Sequence, residues 1–93
     1  MSTNGPLRRT VTVANPMGLH MRPATAFAQL ARAYRSTVTV WNGPARADGK
    51  SSLDLILLVA LPGASLVLEV EGDDAAAAID PLAALLGAPG DGL

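Results

Sequence analysis

Three short segments in which polar and apolar residues alternate constrain the fold of this 93-residue chain more than any other feature. Such alternation has the period of a half-buried β-strand. The stretches between and after these segments carry apolar residues three and four positions apart, the period of an amphipathic helix. We therefore predict one α+β domain in which helices cover one face of a four-stranded antiparallel sheet. The predicted strands are residues 8–14, 36–41 and 65–71, with a short return strand at 45–48.

Three helices are predicted, which makes the order of elements βαββαβα. The first covers residues 22–34, the second is short and lies between residues 49 and 58, and the third follows Gly72-Asp73-Asp74. Pro81 lies inside the third helix, so we expect one lost ladder hydrogen bond and a kink. The apolar stripes predicted to face the core are Ala24, Phe27, Ala28 and Ala31 in the first helix, and Ala75, Ala78, Ile79, Leu82 and Leu86 in the third.

Turn signals separate these elements and bound the domain. Asn42-Gly43 is a strong hairpin signal, and Pro62-Gly63 predicts a turn before the last strand. We predict that the domain spans residues 8–87, between flexible tails at residues 1–7 and 88–93.

The composition excludes several classes of protein. The chain has no cysteine, which rules out a disulfide framework and a cysteine-based metal site. The N-terminal residues lack the apolar core of a signal peptide, and the longest apolar run, residues 55–61, is far too short to span a bilayer. We therefore expect a cytoplasmic protein without membrane insertion.

The charge is distributed unevenly along the chain. All seven basic residues lie at or before Lys50, accompanied by one acid, Asp48, and the other seven acids follow. A basic half that contains the only histidine would steer it towards an acidic partner surface. The halves of a sequence need not become faces of a fold, so both outcomes stay open at this point.

The histidine, His20, lies where the first predicted strand joins the first helix. Gly18 allows a positive φ and therefore a sharp turn, and Pro23 suits the first turn of a helix. His20 is then at a helix start, where unpaired N–H groups and the helix dipole favour an anion. Arg22 adds forked donors that suit a phosphate. This combination indicates a histidine that accepts a phosphoryl group; the alternative is an ordinary surface or capping histidine.

The segment Gly18-Leu19-His20-Met21-Arg22-Pro23-Ala24 resembles the active-site signature of HPr, the histidine phosphocarrier of the phosphoenolpyruvate-dependent sugar phosphotransferase system of bacteria. The resemblance runs without a gap over residues 10–72 and more loosely to residue 86. It implies an open-faced β-sandwich. It also implies that Nδ1 of His20 receives a phosphoryl group from phosphorylated enzyme I and passes it to the sugar-specific enzyme IIA component, with Arg22 as the charge partner.

The same resemblance points to a second site at Ser51, which lines up with the serine that the HPr kinase/phosphorylase of some bacteria phosphorylates. Ser51 or Ser52 is a plausible N-cap for the second helix, and a phosphate at that position would be stabilised by the dipole. Ser52 and Asp54 depart from the family pattern, and Asp54 would repel a phosphate. Regulation and simple capping therefore both stay open.

An apolar patch around the second helix docks enzyme I and the permease component in the family. Leu53 and Ile56 match its positions, while Met21 either rims the site or is ordinary surface. Phe27 has two interpretations: it belongs either to the hydrophobic core or to this docking patch. Ser52 weakens the patch, which indicates a diverged partner, and residues 55–61 are expected to face mainly the core.

Other activities find little support. A P-loop needs four residues between its glycines, whereas Gly43 and Gly49 have five between them. One histidine without cysteine cannot build a metal centre, and Trp41 alone offers little stacking surface for RNA. We therefore expect no metal, cofactor or nucleic acid.

Two further hypotheses concern the role of the fold. A regulatory HPr paralogue would signal through its phosphorylation state to a kinase or transcription regulator instead of serving sugar uptake. A non-phosphorylated interaction module would have no need of His20 and Arg22, which argues against it. The favoured prediction is a monomeric carrier within a phosphotransfer relay rather than a free-standing enzyme.

Overall fold

The computed structural model describes residues 5–90. The order βαββαβα and the α+β fold class are as the periodicities predict. The elements are β1 (Leu7–Thr12), α1 (Met21–Arg32), β2 (Thr37–Asn42), β3 (Ala45–Asp48), α2 (Ser52–Leu57), β4 (Ser65–Glu71) and α3 (Ala75–Leu86).

The four strands form one antiparallel sheet in the order β1-β4-β2-β3. β4, the last strand in the chain, is therefore central, and its alternate residues Leu66, Leu68 and Val70 are fully buried. Thr12 at the end of β1 pairs with Ser65 at the start of β4. This register brings the connection after β1 next to the connection before β4, and the two are joined by backbone hydrogen bonds between Val13 and residues 63 and 64.

Both predicted helical stripes are confirmed as core. Phe27 and the three alanines of its stripe are 0% exposed, so Phe27 belongs to the core and not to a docking patch. In the third helix every predicted stripe residue is buried. α1 contacts both α2 and α3. The alanines on its buried face permit this close packing, and each large side chain buried there contributes about 1.5–3 kcal/mol.

The predicted tails are shorter than expected at both ends of the domain. Leu7 is the first residue of β1 and pairs with Val70. At the other end, the Gly90 carbonyl accepts a hydrogen bond from the Asn15 side chain, so the chain is docked as far as residue 90. The rest of the predicted tails, residues 1–4 and 91–93, lies outside the described residues.

Pro81 lies inside α3, and the helix continues past it to Leu86. The carbonyl that loses its partner to the proline ring belongs to Ala77, four residues earlier. Both residues are exposed, so water can satisfy that carbonyl. The predicted kink itself stays a prediction.

Asp74 is the N-cap residue of α3, but its carboxylate makes no capping hydrogen bond within the described chain. Oδ1 accepts hydrogen bonds from the hydroxyl and the backbone N–H of Ser36, at 2.5 and 3.0 Å, and Oδ2 accepts one from Arg35 N at 2.9 Å. These bonds, chiefly that from the Ser36 hydroxyl, lower the pKa of the Asp74 carboxyl below its usual value. The carboxylate therefore ties the start of α3 to the connection before β2.

Candidate functional site

His20 is the N-cap residue of α1. Its backbone is extended, with φ −89° and ψ −172°, and its carbonyl accepts the first helical hydrogen bond from Ala24 N at 3.0 Å. Its half-buried side chain makes no capping hydrogen bond to the described backbone. The His20 side chain therefore does not act as a hydrogen-bonding cap of α1.

The residues before His20 form a tight turn, which we call the acceptor turn (residues 15–20). Gly18 has a φ of +72°, and a Cβ at this position would lie 2.6 Å from the Ala60 carbonyl oxygen. Glycine is thus required both by the backbone conformation and by the close approach. Ala60 O also accepts a hydrogen bond from Leu19 N at 2.9 Å, and Gly18 N donates to Asn15 O at 2.9 Å. The turn is held against the connection between α2 and β4.

The first turn of α1 supplies the elements of an anion site. Met21, Arg22 and Pro23 occupy its first three positions, where backbone N–H groups have no carbonyl partner within the helix. Proline has no N–H to donate, so the backbone N–H groups at these three positions belong to Met21 and Arg22. None of these residues is acidic, and the Arg22 side chain is exposed. The positive end of the helix dipole and the guanidinium therefore act together on this side of His20.

The structure brings the predicted residues together on one surface. His20, Met21 and Arg22 line an open depression of about 730 Å³. The other residues that line it are Met17, Thr25, Ala26 and Gln29. An imidazole in an open depression can be approached by a protein partner, whereas one packed in the core cannot.

Comparison with known proteins agrees with this geometry. The family model described as "PTS HPr component phosphorylation site" matches residues 7–88. The chain belongs to the HPr family. Membership makes it a phosphocarrier of the phosphotransferase system. Separately, no helix within residues 5–90 is long and apolar enough to cross a membrane.

Individual members of the HPr family show how far the likeness extends. The phosphocarrier protein NPr of Shewanella violacea is 39% identical over 85 residues, which cover 91% of this chain and 93% of that protein. The phosphocarrier protein HPr of Neisseria meningitidis is 36% identical over 80 residues, or 86% and 90% of the two chains. The crystal structure of HPr from Bacillus anthracis has a TM-score of 0.83 and 28% identity, covering 89% of this chain and 99% of that one.

The predicted docking residues of this HPr-family protein differ in exposure. Leu53 is 64% and Met21 55% exposed, as a docking surface requires, whereas Ile56 is half-buried and packs against the core. Met17, which sequence analysis did not select, is 71% exposed and lines the same depression as His20.

The expectation that residues 55–61 face mainly the core holds for four of the seven residues and fails at the other three. Leu57, Val59 and Leu61 are 70%, 68% and 65% exposed. α2 ends at Leu57, so the helical period on which the expectation relied does not extend over the second half of the run. A six-residue helix buries one side only. The shortness of the predicted helix is therefore the signal from which some exposed apolar side chains could have been predicted.

Val59 has a φ of +51°, and within residues 5–90 no other non-glycine residue has a positive φ. A β-branched side chain in this region of the Ramachandran plot is strained. The next residue, Ala60, provides the carbonyl that accepts from Leu19 N and lies against Gly18. Strain is therefore stored beside the contact that holds the acceptor turn, and a valine in the sequence gives no signal of it.

Ser51 is the N-cap of α2, as predicted. Its Oγ accepts a hydrogen bond from Asp54 N at 3.2 Å, and the Asp54 carboxylate accepts one from Asp48 N at 3.2 Å. The neighbouring cation is also engaged, because Lys50 Nζ donates to the Tyr34 carbonyl at 2.8 Å. The capping role is therefore confirmed, and phosphorylation of Ser51 stays a prediction.

The basic half of the sequence does not become one basic face. Arg8 forms an ion pair with Glu69 at 3.1 Å, and Arg9 forms one with Asp80 at 2.7 Å. Both acids come from the acidic half of the chain, which the sheet and α3 bring back against β1. These two ion pairs leave less charge on Arg8 and Arg9 for attracting an acidic partner, and electrostatic steering towards the site stays a prediction.

Proposed function

We propose that this protein carries a phosphoryl group on Nδ1 of His20, which it receives from phosphorylated enzyme I and passes to the sugar-specific enzyme IIA component. The observation that carries the proposal is the position of the imidazole, at the N-cap of α1 and beside Arg22 in an open depression. The first transfer breaks the bond between phosphorus and the donor histidine's nitrogen, which keeps the electron pair. The Nδ1 lone pair of the neutral His20 ring forms the new bond to phosphorus.

Charge compensation is the main task of the residues around His20. The Arg22 guanidinium and the amides at the start of α1 meet the negative charge of the phosphoryl group. At an exposed site, a helix N-terminus contributes about 0.3–1 kcal/mol and an ion pair about 0.2–1 kcal/mol. These contributions are small enough for the group to be released to the next protein, as a carrier requires.

Exposed apolar side chains near the site support the binding of protein partners. The exposed side chains offer contact area for a transient interface. They are Leu53, Met21, Met17 and Leu57. Ile56 is half-buried and packs against the core. We assign the docking of enzyme I and of enzyme IIA to this surface in turn, with the relay operating in the cytoplasm. Regulation by an HPr kinase/phosphorylase at Ser51 would first have to remove its capping hydrogen bond.

The direct test is phosphorylation by enzyme I with labelled phosphoenolpyruvate. The wild-type protein should gain acid-labile, alkali-stable label, and His20→Ala should gain none. Ser51→Ala is the matched control. It changes the N-cap side chain of α2 instead of that of α1, and it should be labelled at the wild-type rate. Absence of label on the wild-type chain, or label that survives in His20→Ala, would refute the proposal.

A regulatory paralogue is the second candidate, and the residues of α2 favour it. Ser52 and the exposed Asp54 lie beside Leu53, where a docking surface of the sugar-transport type is apolar. The labelled protein should therefore be chased with purified enzyme IIA components. Rapid loss of label to one of them supports sugar transport. Retained label, combined with binding to a kinase or transcription regulator that differs between the two phosphorylation states, supports the regulatory role.

A further inference from the structure

The residues after α3 lie against the acceptor turn. We call residues 87–90 the C-terminal segment. A Cβ at Gly87 would lie 2.9 Å from Val11 Cγ1 and 3.5 Å from the Thr12 carbonyl oxygen, so the segment begins in close contact with the end of β1. Three residues later, the Gly90 carbonyl accepts a hydrogen bond from Asn15 Nδ2 at 2.8 Å. The segment therefore reaches the first residue of the acceptor turn.

Asn15 uses both ends of its side-chain amide. Oδ1 accepts a hydrogen bond from Met17 N at 2.9 Å, while Nδ2 donates to Gly90 O. Only one orientation of the amide satisfies both contacts, because the N–H of Met17 needs an acceptor and the Gly90 carbonyl needs a donor. Asn15 is 5% exposed, and among residues 5–90 the only other buried polar residue is Ser36. Loss of either hydrogen bond weakens the bonding of a buried amide, which is costly.

The acceptor turn is thus held from two directions. On one side, the Ala60 carbonyl binds Leu19 N. On the other, Asn15 connects the turn to the C-terminal segment, 75 residues away in the sequence. The backbone between these two contacts is short and leads directly to His20, so loosening either contact changes the freedom of the imidazole.

We propose that Asn15 is a positioning residue for phosphoryl transfer, and that through its bond to Gly90 the C-terminal segment orders the acceptor turn and orients His20. This inference rests on the proposed function of His20. Asn15 does not touch the phosphoryl group; it acts through the backbone of residues 16–19. Loss of one such hydrogen bond should increase local opening of the turn about three- to ten-fold.

The test uses matched variants of the full protein. Asn15→Asp keeps the oxygen that accepts from Met17 N but replaces the donor to Gly90 with a second oxygen. A chain that ends at Pro89 removes the Gly90 carbonyl. A chain that ends at Gly90 is its control, because it lacks the same residues 91–93 but keeps an oxygen acceptor at position 90.

Amide hydrogen exchange of the unphosphorylated proteins measures the order of the turn directly. We expect Gly18, Leu19 and His20 to exchange about three- to ten-fold faster in Asn15→Asp than in the wild type, and about three- to ten-fold faster in the chain ending at Pro89 than in the chain ending at Gly90. Leu68 in the central strand should be unchanged throughout. Equal exchange in all four proteins would overturn the proposal, and if Asn15→Asp does not fold, the two truncated chains still decide it.

The combined variant separates the lost hydrogen bond from the added charge. In the chain that already ends at Pro89, Asn15→Asp should accelerate exchange by less than about two-fold, since the bond it would break is gone. A full additional effect would mean that the aspartate acts through its charge, and would overturn the proposed coupling.

Transfer kinetics then distinguish a positioning role from a structural one. With phosphorylated enzyme I as donor, the maximal transfer rate should fall about three- to ten-fold in both perturbed chains while the KM changes little, because the docking surface is intact. Faster exchange with an unchanged transfer rate would overturn the positioning role. If wild-type His20 is not phosphorylated at all, the proposed function fails, whereas the exchange data still show whether the segment orders the turn.

Discussion

Two helices of this protein begin at an N-cap residue that is a candidate for phosphorylation, and the two side chains are used differently. At the start of α2, the Ser51 hydroxyl accepts a hydrogen bond from the Asp54 N–H, and the Asp54 carboxylate lies in the same turn. At the start of α1, the His20 imidazole does not cap the helix, and the first turn carries Arg22. The proposed phosphoryl site lies at the helix start whose first turn supplies a cation, whereas the start of α2 has an acidic side chain in its first turn.

The third helix adds a different use of the same position. The N-cap residue Asp74 directs its carboxylate to the backbone before β2 and to the Ser36 hydroxyl. It acts as a connection between two elements. The three N-cap residues therefore differ in role: His20 is the proposed phosphoryl acceptor, Ser51 is a cap and Asp74 is a connection, and these roles can be tested separately.

Removing the cation should affect the His20 side most strongly. We expect Arg22→Ala to slow phosphoryl transfer from enzyme I by up to about five-fold, because an ion pair at an exposed site contributes about 0.2–1 kcal/mol. Stopped-flow or quenched-flow transfer rates measure this. Arg32→Ala, at the other end of the same helix, is the control and should transfer at close to the wild-type rate. Equal rates for the two variants would remove Arg22 from the mechanism.

Removing the Ser51 cap should change the stability of the protein but not phosphoryl transfer. Ser51→Ala should lower the free energy of unfolding by about 1 kcal/mol, since it deletes an N-cap acceptor, and should leave transfer to His20 unchanged. His20→Ala should show the reverse, with transfer lost and stability changed by less than about 0.5 kcal/mol. Urea unfolding provides the first quantity. A large loss of stability in His20→Ala would mean that the imidazole also supports the helix.

The strain near the acceptor turn has no counterpart near Ser51. Val59→Gly should raise the free energy of unfolding by about 0.5–1 kcal/mol, because relief of the positive φ exceeds the entropic cost of glycine. Leu61→Gly is the control, with similar exposure and no positive φ, and should lower it by about as much. If both variants are destabilised, the valine conformation is not strained enough to matter.

The Asp74 connection should appear in the response to acid. Its folded-state pKa is lowered, so its contribution to stability is present above the ordinary carboxyl pKa of about 3.9 and is lost as the pH falls towards the lower folded value. Ser36→Ala removes the largest cause of the shift. We therefore expect this variant to lose less stability than the wild type as the pH is lowered through that range, with urea titrations at each pH as the measurement. Parallel profiles would indicate that the carboxylate does not depend on the Ser36 hydroxyl.

The sequence by itself determined the elements and the central pair of the site. Strands, helices and buried stripes follow from hydrophobic periodicity, which is a local property. His20 and Arg22 are two residues apart at a helix start, so the sequence alone pairs them as candidates, and both line the same depression. The same holds for Ser51, whose capping partner is three residues away.

Tertiary structure decided the contacts that support the site. The Ala60 carbonyl lies beside Gly18, and Asn15 reaches Gly90, because the sheet order brings distant connections to one end of the molecule. The exposure of Leu57 and Leu61 likewise depends on where the short helix ends against the core. Hydropathy records that a side chain is apolar but not which neighbour covers it, and a hydrogen bond across 41 or 75 residues leaves no period in the sequence.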